Sequence, residues 1–282
     1  MFEMQTPIPF DIRQTFECGQ AFRWKNLSAD SEVSNSQTYQ GVAGNQFLSI
    51  CQSDNTLSFS CSEEEFHSFW HNYLDFNTDY GKIQAELSAF DPLMREAISY
   101  APGIRILKQN PWETLCSFII SQNNNIPRIS GIIDRFCTLL GQEIAPEIYT
   151  FPTAESVAAL SAEDLSPIRA GFRSKYLIAA AQAVVSGIVD LDEISTSPIA
   201  FGREALQKIH GVGPKVAECV LLYGFYKTEA FPMDVWMKRA METLFPAYTP
   251  KDFGGNAGMA QQYIFHYSRT AGVLRTDGDG RK

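Results

Sequence analysis

The chain has 282 residues, of which 45% are hydrophobic and 20% charged, with a formal net charge of −9. This composition is typical of a globular protein of one large or two ordinary domains, and it argues against a disordered chain. No stretch approaches the roughly 18 consecutive apolar residues of a transmembrane helix, so we expect no membrane partner. The N-terminal MFEMQTPIPFDIRQTF has no basic region followed by an apolar core, so we expect an intracellular protein.

The acidic charge is concentrated in the first third of the chain. Residues 1–100 contain 5 Lys and Arg against 14 Asp and Glu, so the remaining residues have no net charge. The overall acidity gives no support for a polyanion partner, although the rest of the chain can present a locally basic face. The six cysteines are scattered without a Cys-x-x-Cys pair. This pattern argues against zinc ribbons, iron–sulfur clusters and a disulfide framework, so we expect no metal and no cofactor.

Period-two alternation predicts strands in the first third. The segments AFRWK, QFLSICQ and TLSFSCS alternate apolar and polar residues, and Leu57, Phe59 and Cys61 are expected to share one face. Between them, NLSADSEVSNSQ is typical of a loop. Ser62 and Glu65 have the spacing of a capping box ahead of a helix. These patterns predict an antiparallel α+β domain in residues 1–108.

From Asn110 onward the pattern is helical almost throughout. Pro111 stands at a first-turn position before an apolar stripe, and RISGIIDRFCTLLG repeats the stripe until Gly141. Further short helices are predicted in SAEDL, FRSKYLIAAAQAVVSG, GREALQKIHG, PKVAECVLLYGF, DVWMKRAMETLF and AGMAQQYIFHYSR. Residues 109–282 are therefore expected to form an all-α domain.

The segment LQKIHGVGPKVAECVLL predicts a helix, a Gly-Val-Gly turn and a second helix that begins at Pro214. The glycines permit a tight turn with positive φ and a close approach of the backbone to a ligand. Free N–H groups at the start of the second helix are suited to a DNA phosphate. This is the helix-hairpin-helix pattern, which holds the DNA backbone without reading sequence. An ordinary turn between two helices is the alternative interpretation.

Lys215 lies in the first turn of the second helix, where the helix dipole disfavours a cation by about 0.3–1 kcal/mol. An amine is nucleophilic only when it is neutral, and the start of a helix favours the neutral form, so the position suits a Schiff-base nucleophile. A solvated Lys that contacts phosphate is the alternative interpretation. Nineteen residues later, Asp234 precedes another apolar-periodic helix. Its carboxylate can cap that helix and can also stabilise positive charge on a sugar.

These segments, from IHGVGPKVAECV through FPMDVWM, resemble the helix-hairpin-helix DNA glycosylases with a Gly/Pro-rich turn and a trailing Asp. Three further segments narrow the resemblance to the 8-oxoguanine DNA glycosylase/lyase branch: ECGQAFRW, LCSFIISQNNNIPRI and AGFRSKY. The matches run in the family's order from about residue 15 to residue 270. The resemblance implies an antiparallel, TATA-binding-protein-like α+β domain followed by an all-α helix-hairpin-helix glycosylase domain.

The resemblance also implies the activity. The expected enzyme excises 8-oxoguanine from double-stranded DNA in base excision repair by flipping the damaged nucleotide into a cleft between the domains. Lys215 matches the catalytic lysine, which attacks the sugar C1′, forms a Schiff base and promotes β-elimination. Asp234 matches the essential aspartate that supports the charge on the sugar. We expect a cytoplasmic monomer, nucleoid-associated in a bacterium or nuclear in a eukaryote, whose partner is duplex DNA containing an oxidised purine.

Four residues match the family's base-recognition positions. Gly19 matches the glycine whose carbonyl accepts a hydrogen bond from the N7–H that 8-oxoguanine has and guanine lacks. This contact distinguishes the two bases, because guanine would place its N7 acceptor against the carbonyl oxygen. Cys219 and Phe265 match the pair that sandwiches the flipped base. Gln261 matches the residue that reads its pairing edge. Core packing is the alternative for Cys219 and Phe265.

Other residues match positions that contact DNA. Asn123 matches the residue that fills the space left by the flipped base, Arg128 and Arg173 match arginines that read the orphaned cytosine, and Phe172 matches an aromatic wedge. Trp236 departs from the pattern, because some family members have at this position a His that contacts a phosphate. The hairpin residues expected to hold the DNA backbone are His210, Gly211, Val212 and Gly213.

Two other functions remain open from the sequence. An alkylbase DNA glycosylase shares the domain plan but typically lacks the hairpin lysine, and it releases a base without a covalent intermediate. A non-catalytic helix-hairpin-helix protein would bind DNA without any reaction. Lys215 argues against the first, and the simultaneous presence of Lys215 and Asp234 argues against the second.

Overall fold

The computed structural model describes residues 1–7, 9–28 and 36–274. Its first part is an antiparallel sheet with strand order β1-β5-β4-β3-β2, in which every neighbouring pair is antiparallel. The strands are β1 (Phe2–Gln5), β2 (Lys25–Asn26), β3 (Ser36–Ala43), β4 (Gln46–Ser53) and β5 (Thr56–Phe59). A second, two-stranded sheet pairs β6 (Glu143–Ala145) with β7 (Ile148–Tyr149).

The main sheet buries one face against helices of the same region. Leu57, Phe59 and Cys61 are at most 8% exposed, as their alternation predicts. Helix α1 (Ile12–Glu17) covers part of the sheet, and a continuous helical segment covers more of it. That segment consists of α2 (Glu63–Glu65), a π-helical turn (Phe66–Trp70) and α3 (His71–Tyr73), and the predicted capping box of Ser62 and Glu65 starts it.

The rest of the described chain is mainly helical. Its helices are α4 (Tyr80–Ser88), α5 (Pro92–Tyr100), α6 (Pro111–Ile120), α7 (Ile126–Leu140), α8 (Ala154–Ala158), α9 (Arg173–Val185), α10 (Leu191–Thr196), α11 (Ile199–Leu206), α12 (Pro214–Tyr223), α13 (Val235–Leu244) and α14 (Ala257–Thr270). Within the described residues, none of them is long and apolar enough to cross a membrane.

Two hydrophobic cores lie side by side. The smaller one joins the main sheet to α1 and the helical segment that ends at Tyr73. The larger one joins the helices from α4 to α14, so α4 and α5 pack with the helical body although they precede residue 109 in the chain. The predicted domain boundary between residues 108 and 109 stays a prediction.

A buried carboxylate ties the two cores together. Asp75 is fully buried, and its oxygens accept hydrogen bonds from Thr78, Tyr80 and Tyr226 at 2.5–2.9 Å. The Lys108 ammonium lies 2.9 Å from the same carboxylate. A buried charge is tolerated only with such partners, and removing one of them would leave it uncompensated. Because Tyr226 follows α12, this cluster fixes the segment that connects α12 to Asp234.

The structure corrects several sequence predictions. AFRWK contributes only its last residue, Lys25, to the two-residue strand β2 and does not form a strand of its own. SAEDL does not form a helix. The Asp164 carboxylate accepts a hydrogen bond from the Ser161 N–H at 2.8 Å, and a short 3-10 segment (Ser166–Ile168) follows. Pro167 in that segment disfavours an α conformation of the residue before it. The predicted loop NLSADSEVSNSQ ends inside β3, because its last two residues belong to that strand. Its residues 29–35 lie outside the part of the chain that the structure describes.

Candidate active site and DNA-binding surface

Six of the predicted site residues line one pocket. It lies between the loop of residues 18 and 19, helices α6, α12 and α14, and the segment before α13. Its lining comprises Cys18, Gly19, Phe118, Lys215, Cys219, Tyr223, Pro232, Asp234, Gln261 and Phe265. The cavity is about 50 Å³, well below the roughly 300–1,000 Å³ of ligand pockets, so it is narrow in the absence of a ligand.

Lys215 is half-buried in the first turn of α12. Its Nζ lies 3.5 Å from Ser121 Oγ and 5.1 Å from the centroid of the Phe118 ring. Ser121 Oγ donates its proton to the Phe118 carbonyl at 2.8 Å, so toward Lys215 it acts as an acceptor. Phe118 lies in the last turn of α6 and Ser121 is its C-cap, so the negative dipole end of α6 offsets the positive end of α12. Neither Ser121 nor Phe118 was predicted to lie at the site, although both stand in LCSFIISQNNNIPRI and Phe118 belongs to its apolar stripe.

Asp234 lines the same pocket from the start of α13. It is the N-cap of α13, and its Oδ1 accepts from Met237 N–H at 2.7 Å. The predicted capping role is confirmed, and the cap fixes the carboxylate at the pocket wall. Trp236, two residues on, turns inward: its Nε1 donates to Ser268 Oγ at 2.9 Å on α14.

Cys219 follows Lys215 by one helical turn and is 2% exposed. Burial raises the pKa of its thiol to about 11, and Asp234 adds to this effect while Lys215 opposes it. The thiol is therefore neutral at physiological pH and presents a small apolar surface to the pocket. Phe265 is half-buried on α14 across the pocket.

Gly19 has φ +88°, a conformation in which a side chain is strained. Its loop is rigid because the buried Gln20 side chain donates to the carbonyls of Thr15 and Arg105 at 2.9 and 2.7 Å. Gln262 on α14 donates to the Cys18 carbonyl at 3.0 Å. Gln20 and Gln262 were not predicted from the sequence, because their role depends on contacts with distant residues.

Gln261 is 4% exposed, and its amide nitrogen donates to the Pro232 carbonyl at 3.3 Å. Its Oε1 is buried without a hydrogen-bond partner among the described residues. An orphaned buried acceptor costs about 1–3 kcal/mol. A ligand that brings an N–H donor into the pocket would recover that free energy.

The Gly-Val-Gly turn has two different glycines. Gly211 has φ +91°, and a Cβ there would lie 2.2 Å from the Tyr176 ring. Gly213 is the N-cap of α12 with φ −94°, and a Cβ there would meet nothing within 4 Å. Val212 is buried between them, and His210 is exposed with its ring 5.1 Å from that of Tyr176. The α12 N-terminus therefore has neither a capping side chain nor an obstacle to an anion.

The predicted DNA-contacting residues lie around this turn. The Gln122 side chain donates to the Gly211 carbonyl at 3.0 Å, which links the hairpin to the exposed Asn123. Phe172 is 50% exposed just before α9, and Arg128 is exposed in the first turn of α7. Arg173, by contrast, is buried. Among the described residues, no group of three His, Cys, Asp or Glu could hold a metal ion.

Comparisons with known proteins agree with this geometry. A family model described as the 8-oxoguanine DNA glycosylase N-terminal domain matches residues 4–115. One described as an HhH-GPD superfamily base excision DNA repair protein matches residues 116–252. The N-glycosylase/DNA lyase OGG1 of Arabidopsis thaliana is 29% identical over 283 residues, which cover 93% of this chain and 74% of that protein.

Two solved structures match nearly the whole chain. The structure of MBOgg1 in complex with a low affinity DNA ligand is 38% identical, with a TM-score of 0.88 and 96% of each chain covered. The Clostridium acetobutylicum 8-oxoguanine glycosylase/lyase, in complex with dsDNA containing cytosine opposite 8-oxoG, is 34% identical, with a TM-score of 0.85 and 94% and 93% covered. The predicted fold, an antiparallel sheet domain followed by a helical HhH-GPD domain, is confirmed. The chain belongs to the 8-oxoguanine DNA glycosylase family of the HhH-GPD superfamily.

Proposed function

We propose that this chain is a bifunctional DNA glycosylase and AP lyase that excises 8-oxoguanine from duplex DNA. The observation that carries the proposal is the convergence of Lys215 and Asp234 on one pocket, which also contains the base-recognition candidates. The named activities of the matched relatives support it. The proposed enzyme is a monomer with domains 1–108 and 109–282, and its compartment is that of the DNA it repairs.

In the proposed reaction the neutral Lys215 amine attacks C1′ of the flipped nucleotide. The bond between C1′ and the base breaks, its electron pair leaves with the base, and the base is protonated. Asp234 stabilises the positive charge that develops on the sugar, from a position fixed by its cap on Met237. The attached nitrogen then loses one proton, the bond between C1′ and the ring oxygen O4′ breaks as O4′ takes up a proton, and the opened sugar is held as a protonated Schiff base. Loss of a C2′ proton expels the 3′ phosphate, which cleaves the strand.

We assign base selection to groups that the pocket holds rigidly. The Gly19 carbonyl accepts the N7–H of 8-oxoguanine, and the loop held by Gln20 and Gln262 keeps that carbonyl in place. The unpartnered Gln261 Oε1 accepts from the pairing edge of the base. Cys219 and Phe265 pack against its two faces. Guanine would place an acceptor against the Gly19 carbonyl and would be rejected.

We assign DNA binding to the surface around the hairpin. Helices α9 and α12 begin without a capping side chain, whereas α6, α7 and α13 are capped by Asn110, Asn125 and Asp234. Free N–H groups at a helix start bind phosphate, and two exposed basic side chains, Lys175 in the first turn of α9 and Arg128 in the first turn of α7, add to the attraction. This local basic surface explains how a chain with a net charge of −9 binds DNA.

Base release and borohydride trapping test the proposal. Duplexes with 8-oxoguanine or guanine opposite cytosine are incubated with the parent chain and with Lys215→Gln. We expect release of 8-oxoguanine and a covalent adduct with the parent only, and neither with the guanine duplex. Base release without an adduct would contradict the lyase activity and favour an alkylbase-type enzyme. Tight binding without release would contradict any catalytic role.

A further inference from the structure

We infer that Glu218 is a positioning residue for the proposed reaction: its carboxylate joins the helix that carries Lys215 to the segment that carries Asp234, and so fixes the placement of one relative to the other. This inference rests on the proposed function. It gives a task to a charged residue of α12 that lines a cavity other than the active-site pocket.

The Glu218 carboxylate joins three parts of the chain. Its Oε2 accepts a hydrogen bond from the main-chain N–H of Phe231 at 2.8 Å. The same carboxylate accepts two hydrogen bonds from Arg203 on α11, at 2.5 Å to Oε1 and at 3.1 Å to Oε2. A bidentate pair of charged groups fixes the orientation of the carboxylate and is stronger than a pair of neutral groups. The Glu218 side chain is 15% exposed, so the carboxylate is shielded from most of the solvent.

Helix α12 places this carboxylate close to the proposed nucleophile. Glu218 and Lys215 are three positions apart on the helix, a rise of about 4.5 Å along its axis. The helix packs closely against α11, because a Cβ at Gly202 would lie 2.6 Å from the Leu221 side chain. A group that is bound to Glu218 therefore keeps a fixed place relative to the backbone of Lys215.

The segment that Glu218 binds leads directly to Asp234. Phe231, whose N–H is held, is 5% exposed and precedes Asp234 by three residues. The next residue, Pro232, has a fixed φ, and its carbonyl accepts a hydrogen bond from the Gln261 side chain on α14 at 3.3 Å. The segment is thus held from α14 by one contact and from α12 by the other. Loss of the Glu218 contact would release it from the helix that carries the nucleophile.

Arg203 supports the carboxylate but does not contact the segment through these hydrogen bonds. The hydrogen bond with Glu218 raises the pKa of the Arg203 guanidinium. This ion pair alone would only stabilise the packing of α11 against α12. The additional contact with Phe231 N–H is what links the carboxylate to the placement of Asp234. The two roles can be separated, because removal of Arg203 leaves the acceptor for Phe231 N–H in place.

Single-turnover excision and a double-mutant cycle test the assignment. Excision of 8-oxoguanine opposite cytosine is measured at saturating enzyme for the parent, Glu218→Leu, Glu218→Gln, Arg203→Gln, Asp234→Asn and the combination of Glu218→Leu with Asp234→Asn. We expect Glu218→Leu to slow excision between about tenfold and a hundredfold, because catalysis tolerates little misplacement. Glu218→Gln and Arg203→Gln keep an acceptor for Phe231 N–H and should stay within about threefold of the parent. In the Asp234→Asn background, Glu218→Leu should add less than about twofold.

Two controls separate positioning from a general loss of fold. Glu229→Leu removes an exposed carboxylate from the same cavity and should leave excision unchanged. Thermal unfolding shows which variants are folded at the assay temperature. If Glu218→Leu is not folded, Glu218→Asp replaces it, because its side chain keeps the charge but is one methylene too short to hold both partners.

Equal losses in Glu218→Leu and Arg203→Gln would indicate a bridge between helices only and would overturn the inference. A loss that persists in full in the Asp234→Asn background would overturn it as well. An active parent with an unaltered rate in folded Glu218→Leu would overturn this inference alone, whereas a folded parent that does not excise 8-oxoguanine would overturn the proposed function and this inference with it.

Discussion

Gly211→Ala is predicted to destabilise the hairpin through two separate effects. At φ +91° an L side chain is disfavoured by roughly 1–2 kcal/mol. The added Cβ would lie 2.2–2.6 Å from three atoms of the Tyr176 ring, and such overpacking costs about 1–3 kcal/mol. The sum, about 2–5 kcal/mol, is a large part of the roughly 5–15 kcal/mol stability of a typical domain.

Urea unfolding of the parent and of Gly211→Ala measures this cost, with Gly213→Ala as the matched control. Gly213 has φ −94° and open space around it, so its substitution should cost less than about 1 kcal/mol in stability. It should instead weaken binding to duplex DNA, by the roughly 1.5–3 kcal/mol of a hydrogen bond to a charged group, because a methyl group would stand where a phosphate approaches. Equal stability losses in the two variants, or a Gly211→Ala loss below about 1 kcal/mol, would refute the reasoning.

Three further predictions concern the pocket. Asp234→Asn keeps the helix cap but removes the charge, so its free energy of unfolding should change by less than about 0.5 kcal/mol while excision slows about 100-fold. Asp234→Ala also loses the cap, so its free energy of unfolding, measured in urea, should fall by a further ~1 kcal/mol. Burial raises the pKa of the Cys219 thiol to about 11, above its value near 9 in the unfolded chain. The neutral thiol therefore contributes its whole stabilisation of the fold below about pH 9, and this contribution is lost as the pH rises toward 11. Between pH 7.5 and 10.5 the parent should therefore lose about 2 kcal/mol more than Cys219→Ala in urea unfolding under reducing conditions, and equal losses would contradict this. Gln261→Leu removes an orphaned acceptor, so its stability should change by less than about 1 kcal/mol while its affinity for 8-oxoguanine duplexes falls; unchanged affinity would exclude Gln261 from base recognition.

Features that depend on neighbouring residues in the chain could be predicted from the sequence. The capping box of Ser62 and Glu65, the cap at Asp234 and Pro111 in the first turn of α6 are all present as predicted. Each depends on side chains within four positions of one another, so the sequence contains the whole arrangement. The positive φ of Gly211 was predictable for the same reason.

Other features depend on partners that are distant in sequence. Strand β3 contains Ser36, Gln37, Thr38 and Gln40, and it exists because it pairs with β4 along its whole length, which its polar composition does not indicate. Ser121 lies 94 positions from Lys215 in the sequence and becomes its neighbour only through the packing of α6 against α12.

Whether a side chain is buried also depends on partners that are distant in sequence. Arg173 and Arg128 are both arginines in segments that resemble the family, and nothing in the sequence alone distinguishes them. The structure separates them because carbonyls at the end of α6 face one guanidinium and solvent faces the other residue. Resemblance therefore pointed to both arginines, whereas the difference in their burial became visible only from the contacts.

The most direct test of the account is to identify the residue that carries the borohydride-trapped sugar. The adduct formed on a duplex containing 8-oxoguanine is digested, and the modified peptide is sequenced by mass spectrometry. We predict a reduced deoxyribose adduct on Lys215 and on no other amine. An adduct on another lysine or on the N-terminus would contradict the assignment of Lys215 as nucleophile.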